Sequence, residues 1–487
     1  MKTFISICVV SLIIFITRPV LGDLIRIPED FSTIQTGIDQ AQALDTVLVA
    51  PGVYIESLVF NGKTLTLASW FLTTADTSYI RTTIIDGNDG EAVIIIDDAV
   101  GPQTTIIGFT LQNADDGIAP SAKFNLLNNR IIDCSDGIDY EDYSGGLCRE
   151  NVFEFNSDDG IDLDDYIDIV IEKNIIRHND DDGIEIRLED YSGSTLTCII
   201  RENSIYGNGE DGIQLIDYQE VSDRIFIIDR NLIYDNTMAG LGCMSDENTE
   251  ENYEGAGIRE PVYLYNNTFV NNTFGVTGGE NLIALNNIFM QHTDTAMKNV
   301  DGNSLIAYSV YWENGVDFEN CNTDTSLFLI NPLLDNNFLP MANSPCIDRG
   351  TAFFIWQDSI VFDLPAADYK GQAPDIGAVE SDDSPTLVEK QVVGVPQFHL
   401  FANYPNPFNP ETRIRYHIGS PGRVKILIFD INGRLIATLA DGFHASGEYE
   451  IKWQAHEANG RFLPSGIYFC KVQENEQVQI LKMTLIK

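Results

Sequence analysis

The stretch SDDGIDLDDYIDIVIEKNIIRHNDDDGIEI, residues 157–186, holds one structural period and the start of the next. Asp-Asp-Gly-Ile-Asp at 158–162 returns as Asp-Asp-Gly-Ile-Glu at 181–185, and related copies stand at 135–143 (SDGIDYEDY) and 210–218 (EDGIQLIDY). Aligned on the motif glycine, the series runs Gly117, Gly137, Gly160, Gly183, Gly212 and Gly240, in steps of 20, 23, 23, 29 and 28 residues. Asn129, Asn151, Asn174, Asn203 and Asn231 each precede one of the last five glycines by eight or nine residues. Fainter copies follow over 267–276 and 287–297. Between the turn residues lie short β runs such as IDIVIEKNII. A period near 23 with no room for a helix predicts one full coil of a parallel β-helix, an all-β solenoid. Apolar residues then stack inward from coil to coil, and the asparagines form a ladder whose amides satisfy backbone groups. The two longest steps are coils with outward loops. Leucine-rich repeats have this length, but their LxxLxLxxN pattern is missing.

Composition limits what such a solenoid binds. Lys and Arg total 29 against 73 Asp and Glu, a net charge of −44 over 487 residues. Phosphate backbones need a basic footprint, which excludes nucleic acid and disfavours anionic membranes. Cations, and anionic polymers bridged by cations, remain open. Acidity also keeps an exported protein soluble. The first 22 residues, with Lys2, an apolar run from Phe4 to Ile16 and small residues before Asp23, read as a secretory signal peptide. The run is short for a membrane span, and no transmembrane anchor is expected later in the chain. Cys8 leaves with the signal. The seven remaining cysteines lack metal spacing and read as buried small residues, with Cys321 and Cys346 the pair to test for a disulfide.

Residues 27–60, opening IPEDFSTIQTGIDQAQALDTVLVAPGVY, resemble the start of right-handed parallel β-helix proteins of the pectin-lyase-like superfamily. Phe31 to Leu44 is expected to be an amphipathic helix capping the open end of the solenoid. NPLLDNNFLPMANSPCIDRG (331–350) and PDIGAVE (374–380) resemble the closing segment of bacterial members, so the likeness spans about residues 24–380. A polar linker at 381–396 follows. Residues 397–487 alternate apolar and polar at strand period, as in VKILIFDINGRLIATL (424–439), and predict a small immunoglobulin-like β-sandwich. Its motifs, among them FANYPNPFNPETRIRYHI (401–418), resemble the type A C-terminal sorting domain of type IX (Por) secretion. That resemblance implies export through the periplasm to the outer surface or the medium, with the secretion machinery as a partner. A monomer is expected.

Strand parity places the acids. With Ile161 and Leu163 pointing inward, Asp162 and Asp164 point outward. Asp139, Asp162, Glu185 and Gln214 fall in one outward column, and Glu141, Asp164, Arg187 and Ile216 in the next. Asp136, Asp159, Asp182 and Asp211 precede the glycines. Coils lie about 4.8 Å apart, so like charges stack at a cost of about 1 kcal/mol per pair in water, and a cation would reverse the sign. Oxygen-only donors suit Ca²⁺. The bland alternative is that Asp-Gly turns use aspartate to cap backbone N–H groups, which accounts for the pre-glycine column but not for the acids after the glycine. D-D-G-I-D at 158–162, with Asp136 one coil earlier, resembles the Ca²⁺ site of family 9 polysaccharide lyases. The resemblance implies Asp136, Asp158, Asp159 and Asp162 as calcium ligands; Glu185 extends the set. Acidic polysaccharide is the implied substrate or ligand class. That family uses a lysine base, and none stands in these columns. Arg187 is the remaining cationic candidate for a catalytic role, although beside Glu185 and Asp164 it is better suited to ion pairing. Lys173 falls next to an asparagine turn on another face. The GHG and RIK segments of polygalacturonases are missing, and His178 reads as a solvated turn residue. The rival reading is a non-catalytic surface or adhesion protein with a structural acidic face.

Overall fold

A coil of about 23 residues closes because three short strands meet at corners that turn without a helix. In the coil quoted above the strands are Asp168–Glu172, Ile175–Arg177 and Ile184–Leu188. Repeated along the chain, they build three parallel sheets of 12, 13 and 8 strands. This computed structural model describes residues 22–381 apart from 165, 219–221, 246–256, 325 and 358. It also describes residues 398–486 apart from 401–402, 404–407, 419–421, 432–433, 445–446, 457–462 and 475–476. Nearly all of the expected signal peptide and of the expected linker lie outside the described residues. Two compact units are present, Met1–Thr386 and Leu387–Lys487.

Side-chain alternation fills the first unit. Ile169, Ile171, Ile176, Ile184 and Ile186 point inward within one coil and are almost wholly buried. They stack on Cys148, Phe153, Ile161 and Leu163 of the coil before, so the core is one continuous column. The asparagine ladder forms as expected. Asn151 Oδ1 accepts the N–H of Asn129 at 2.9 Å, and Asn174 Oδ1 accepts that of Asn151 at 2.9 Å. Asn203, Asn231, Asn267 and Asn287 continue the series. A second ladder, which the motif spacing did not suggest, runs through Asn156, Asn179, Asn208, Asn236 and Asn272. It lies at the corner between the second and third sheets and explains why each coil there has a glycine. A Cβ on Gly160 would sit 2.7 Å from Asn179 Nδ2 and 2.7 Å from the Gly183 carbonyl oxygen. Only a hydrogen fits there.

The N-terminal helix is shorter than expected, Ile34–Gln40 and not Phe31 to Leu44. Thr33 caps it, its hydroxyl accepting the Thr36 N–H at 3.2 Å. It stops at Ala41 because the Asp45 carboxylate takes the Gln42 N–H and Leu44 turns to a positive φ of 72°. Ile34 and Ile38 enter the same core as Ile27 and Val47. The closing segment lies along the flank of the late coils. Ile376 and Cys346 pack on Ile288 and Val310, and the Gly377 N–H reaches the Asn286 carbonyl at 2.8 Å. Cys321 and Cys346, the pair to test for a disulfide, are not joined. Cys346 is buried in that flank cluster, whereas Cys321 packs against the main core with its thiol on the Met297 carbonyl. All seven cysteines among the described residues are free.

The second unit has a three-stranded antiparallel sheet (Phe398–Leu400, Glu411–Ile418, Gly447–Gln454) and a four-stranded one. Phe408, Ile414, Val424, Ile426, Trp453 and Cys470 form a core of their own between them.

Candidate functional site

The corners at 135–139, 158–162 and 181–185, between the second and third sheets, carry a run of acids into strands whose alternate side chains face away from the core. The pre-glycine aspartates meet the backbone of the next coil. Asp136 Oδ1 accepts the Asp159 N–H at 3.1 Å, Asp159 Oδ1 the Asp182 N–H at 2.8 Å and Asp182 Oδ1 the Asp211 N–H at 2.6 Å. This column is a third ladder, built of carboxylates, and the capping role describes one oxygen of each.

The strand acids have no such duty. Asp139 pairs in register with Asp162, Asp162 with Glu185, and Glu185 with Gln214. They point away from the core as parity requires, yet they are not solvated. Asp162 is 6% and Glu185 8% exposed, because each is flanked by the coils on either side and Arg187 lies against them. Its guanidinium reaches Asp162 Oδ2 at 2.9 Å and Asp164 Oδ1 at 2.7 Å, and also contacts Glu185 Oε1. Asp139 Oδ1 and Asp162 Oδ1 are buried without a hydrogen-bond partner.

Burial and crowding show in the proton affinities. Burial first, then Asp164 and Glu185 against the opposing pull of Arg187, push Asp162 up to about 8. Burial and neighbouring acids push Asp139, Glu185 and Asp181 up to about 7 and Asp136 to about 6. Asp159 is likewise raised well above the usual carboxylate range, by burial and then by Glu185 and Asp162. For Arg187, burial would lower the affinity, but Asp162, Glu185 and Asp164 outweigh it and hold the guanidinium more firmly protonated than usual.

Three carboxylate triads result, with donor oxygens within 4.8 Å of one another: Asp158, Asp159 and Asp181; Asp159, Asp162 and Glu185; Asp139, Asp162 and Asp164. Of the expected ligands, Asp158, Asp159, Asp162 and Glu185 therefore come together, linked at Asp159. Asp136 lies one coil away in the backbone-capping ladder and joins none of the triads. Asp139, Asp164 and Asp181 are additions. Asp181 repeats Asp158 at the 23-residue step, a signal present in the sequence. Lys173 is elsewhere, 3.5 Å from Glu202, and His178 is an exposed turn residue. Buried orphan oxygens, like charges and an oxygen-only donor set are what a hard divalent cation such as Ca²⁺ fits.

A family model described as right handed beta helix region matches residues 71–221 and 118–289, and one described as secretion system C-terminal sorting domain matches 402–487. No curated protein matched the chain. Among solved structures the chain is similar to pectate lyase Pel9A, at 15% identity over 71% of this chain and 90% of that one, TM-score 0.48. It is also similar to the Azotobacter vinelandii mannuronan C-5 epimerase AlgE6 A-module, at 15% identity over 61% and 94%, TM-score 0.38. PorZ of Porphyromonas gingivalis, a component of the type-IX secretion system, is 25% identical over 18% of this chain and 11% of its own, TM-score 0.14. Residues 71–289 are a right-handed β-helix region and residues 402–487 a Por secretion C-terminal sorting domain, which brings the chain to the secretion machinery and the protein to the outer surface or the medium.

Proposed function

We propose that the acidic face of the third sheet binds Ca²⁺ and, through it, the carboxylates of an acidic polysaccharide. The observation that carries this reading is the set of triads meeting at Asp159 and Asp162, with Asp162 Oδ1 buried and unpartnered. Asp158, Asp159, Asp162, Glu185 and Asp181 would hold the ion, and Asp136 would support Asp159 through its backbone. A bound divalent cation supplies charge that polarises a uronate carboxylate and acidifies the proton beside it, the first requirement of a polysaccharide lyase. Arg187 acts here as a fixed positive charge. Three carboxylates hold its proton, so it orients anionic groups and does not accept a proton.

Titration of Ca²⁺ into chelated protein should raise the melting temperature, since an ion that binds only the folded coils stabilises by about 2.7 kcal/mol at a hundredfold excess over Kd. Asp159→Asn combined with Asp162→Asn should remove the rise. A melting point that is the same in chelator and in millimolar calcium would sink the proposal. With calcium present, pectate or alginate should bind, and more weakly in Arg187→Ala; unsaturated uronate ends, seen by ultraviolet absorbance, would require a proton acceptor other than Arg187. Binding without product favours the second reading, a non-catalytic surface protein. That reading draws on the engaged state of Arg187 and on the lack of a lysine in the triads.

A further inference from the structure

The corner that carries the second asparagine ladder also carries a cleft of about 420 Å³, lined by acids, amides and hydroxyls and by the ring of Phe155. Phe155 is out of place by two measures. It is 53% exposed, and its φ of +61° lies in the left-handed region, where a bulky side chain is a rare occupant. Neighbouring coils put Asn113, Asp133, His178, Gly207 and Asp235 at the equivalent turn position, each at positive φ. Asn, Asp, His and Gly suit that backbone. Phenylalanine suits neither the backbone nor the water around it.

The ring is also supported from below. It stacks on the imidazole of His178, with centroids 5.5 Å apart and planes 20° from parallel. His178 in turn needs the glycine of the next coil, since a Cβ on Gly207 would sit 2.7 Å from its Nδ1. Tyr206 closes on His178 edge-on at 5.6 Å. One face of Phe155 is thus fixed against a stack while its body stands open to the cleft. Around it, Asp89, Asp115, Asp133 and Asp180 are exposed carboxylates.

We propose that this cleft is a subsite for a neutral hexose unit of a glycan. A pyranose offers a flat C–H face to an open aromatic ring and a rim of hydroxyl donors to its surroundings. Ionised carboxylates only accept, so four of them recognise hydroxyl groups and repel a uronate. The same repulsion separates this subsite from the calcium face, although Ser135, Ser157 and Asp180 of the cleft directly precede Asp136, Asp158 and Asp181. The proposal does not depend on the calcium reading.

The test is a panel of neutral tetrasaccharides (glucan, mannan and galactan) screened by saturation-transfer NMR and calorimetry against the full chain in chelator. At least one should bind, with saturation concentrated on the ring C–H protons. Phe155→Asn, which fits the left-handed backbone and should fold, is expected to weaken binding about tenfold, and Phe155→Tyr should retain it. Failure of every panel member to bind would overturn the proposal. So would an affinity unchanged in Phe155→Asn, or equal binding of oligogalacturonate in chelator at the same ring.

Discussion

Replacing Asp162 by asparagine should stabilise the metal-free solenoid at alkaline pH while leaving it unchanged in acid. Asp162 is 6% exposed, keeps one oxygen without a partner and carries a pKa pushed up to about 8. An unfolded aspartate titrates near 3.9, so between these values the native state binds the extra proton and stability falls as pH rises. The contribution is fully present below about pH 4 and is lost as pH climbs through about 8. A shift of about four units corresponds to a ceiling of about 6 kcal/mol for one carboxylate. Repulsion shared with Glu185 and Asp164, and the loss of one Arg187 contact, reduce the expected gain to about 2–3 kcal/mol.

Asparagine keeps the shape and never ionises. In chelator, urea midpoints of wild type and Asp162→Asn should coincide at pH 4 and separate by about 1 M at pH 8.5, given a urea dependence of about 3 kcal/mol per molar. Adding calcium at pH 8.5 should restore the wild type and do less for the variant, so the gap closes. Parallel pH curves would refute the reasoning, because they would mean that Asp162 is already solvated or already neutralised by Arg187. A variant less stable than wild type at every pH would show that the Arg187 contact outweighs the repulsion.

Arg187→Gln leaves Asp162, Asp164 and Glu185 without the guanidinium that joins them. It should cost about 3–5 kcal/mol at pH 8 in chelator and much less at pH 5, measured by the same denaturation series. Asn174→Ala should cost about 2–4 kcal/mol at any pH, because the Asn151 N–H and the Cys148 carbonyl lose a buried partner; calorimetry that shows no loss would contradict the ladder as a stabilising device. Deleting residues 397–487 in the native host should leave a folded solenoid in the periplasm with its calcium response intact. Normal arrival at the surface would remove the sorting function from the second unit.

Legibility of the fold followed from repetition. A glycine every 20 to 29 residues and an asparagine eight or nine before it can be read without knowing any contact, because each coil obeys the constraints of the last. The glycines turn out to be steric, leaving room for the second amide ladder, and the asparagines hydrogen-bond across coils. That second ladder was just as periodic, through Asn156, Asn179 and Asn208, but lay beside the more conspicuous acids. Elements that occur once were harder. Apolar spacing that continues to Leu44 predicts a longer helix after Ser32 than forms, because its end is set by Asp45, a residue that closes the loop from outside the pattern. Whether Cys321 and Cys346 pair could not be read for a similar reason, since proximity in sequence says nothing about which side of the flank each residue joins.

The site was half legible, and the missing half is physical. Parity correctly turned Asp162 and Glu185 away from the core, and register alone put them in one column. Outward in a solenoid, however, does not mean solvated. A residue in the middle of a stack is covered by its neighbours above and below, so acids a coil apart bury one another and any arginine among them. That burial converts a row of surface charges into orphan oxygens with raised proton affinity, and it converts Arg187 from a candidate base into a held cation. Asp136 stands apart by position and not by its backbone bond, which Asp159 makes as well. The carboxylates that come within reach of one another lie one coil further on, where Asp158 and Asp181 repeat the motif at the 23-residue step.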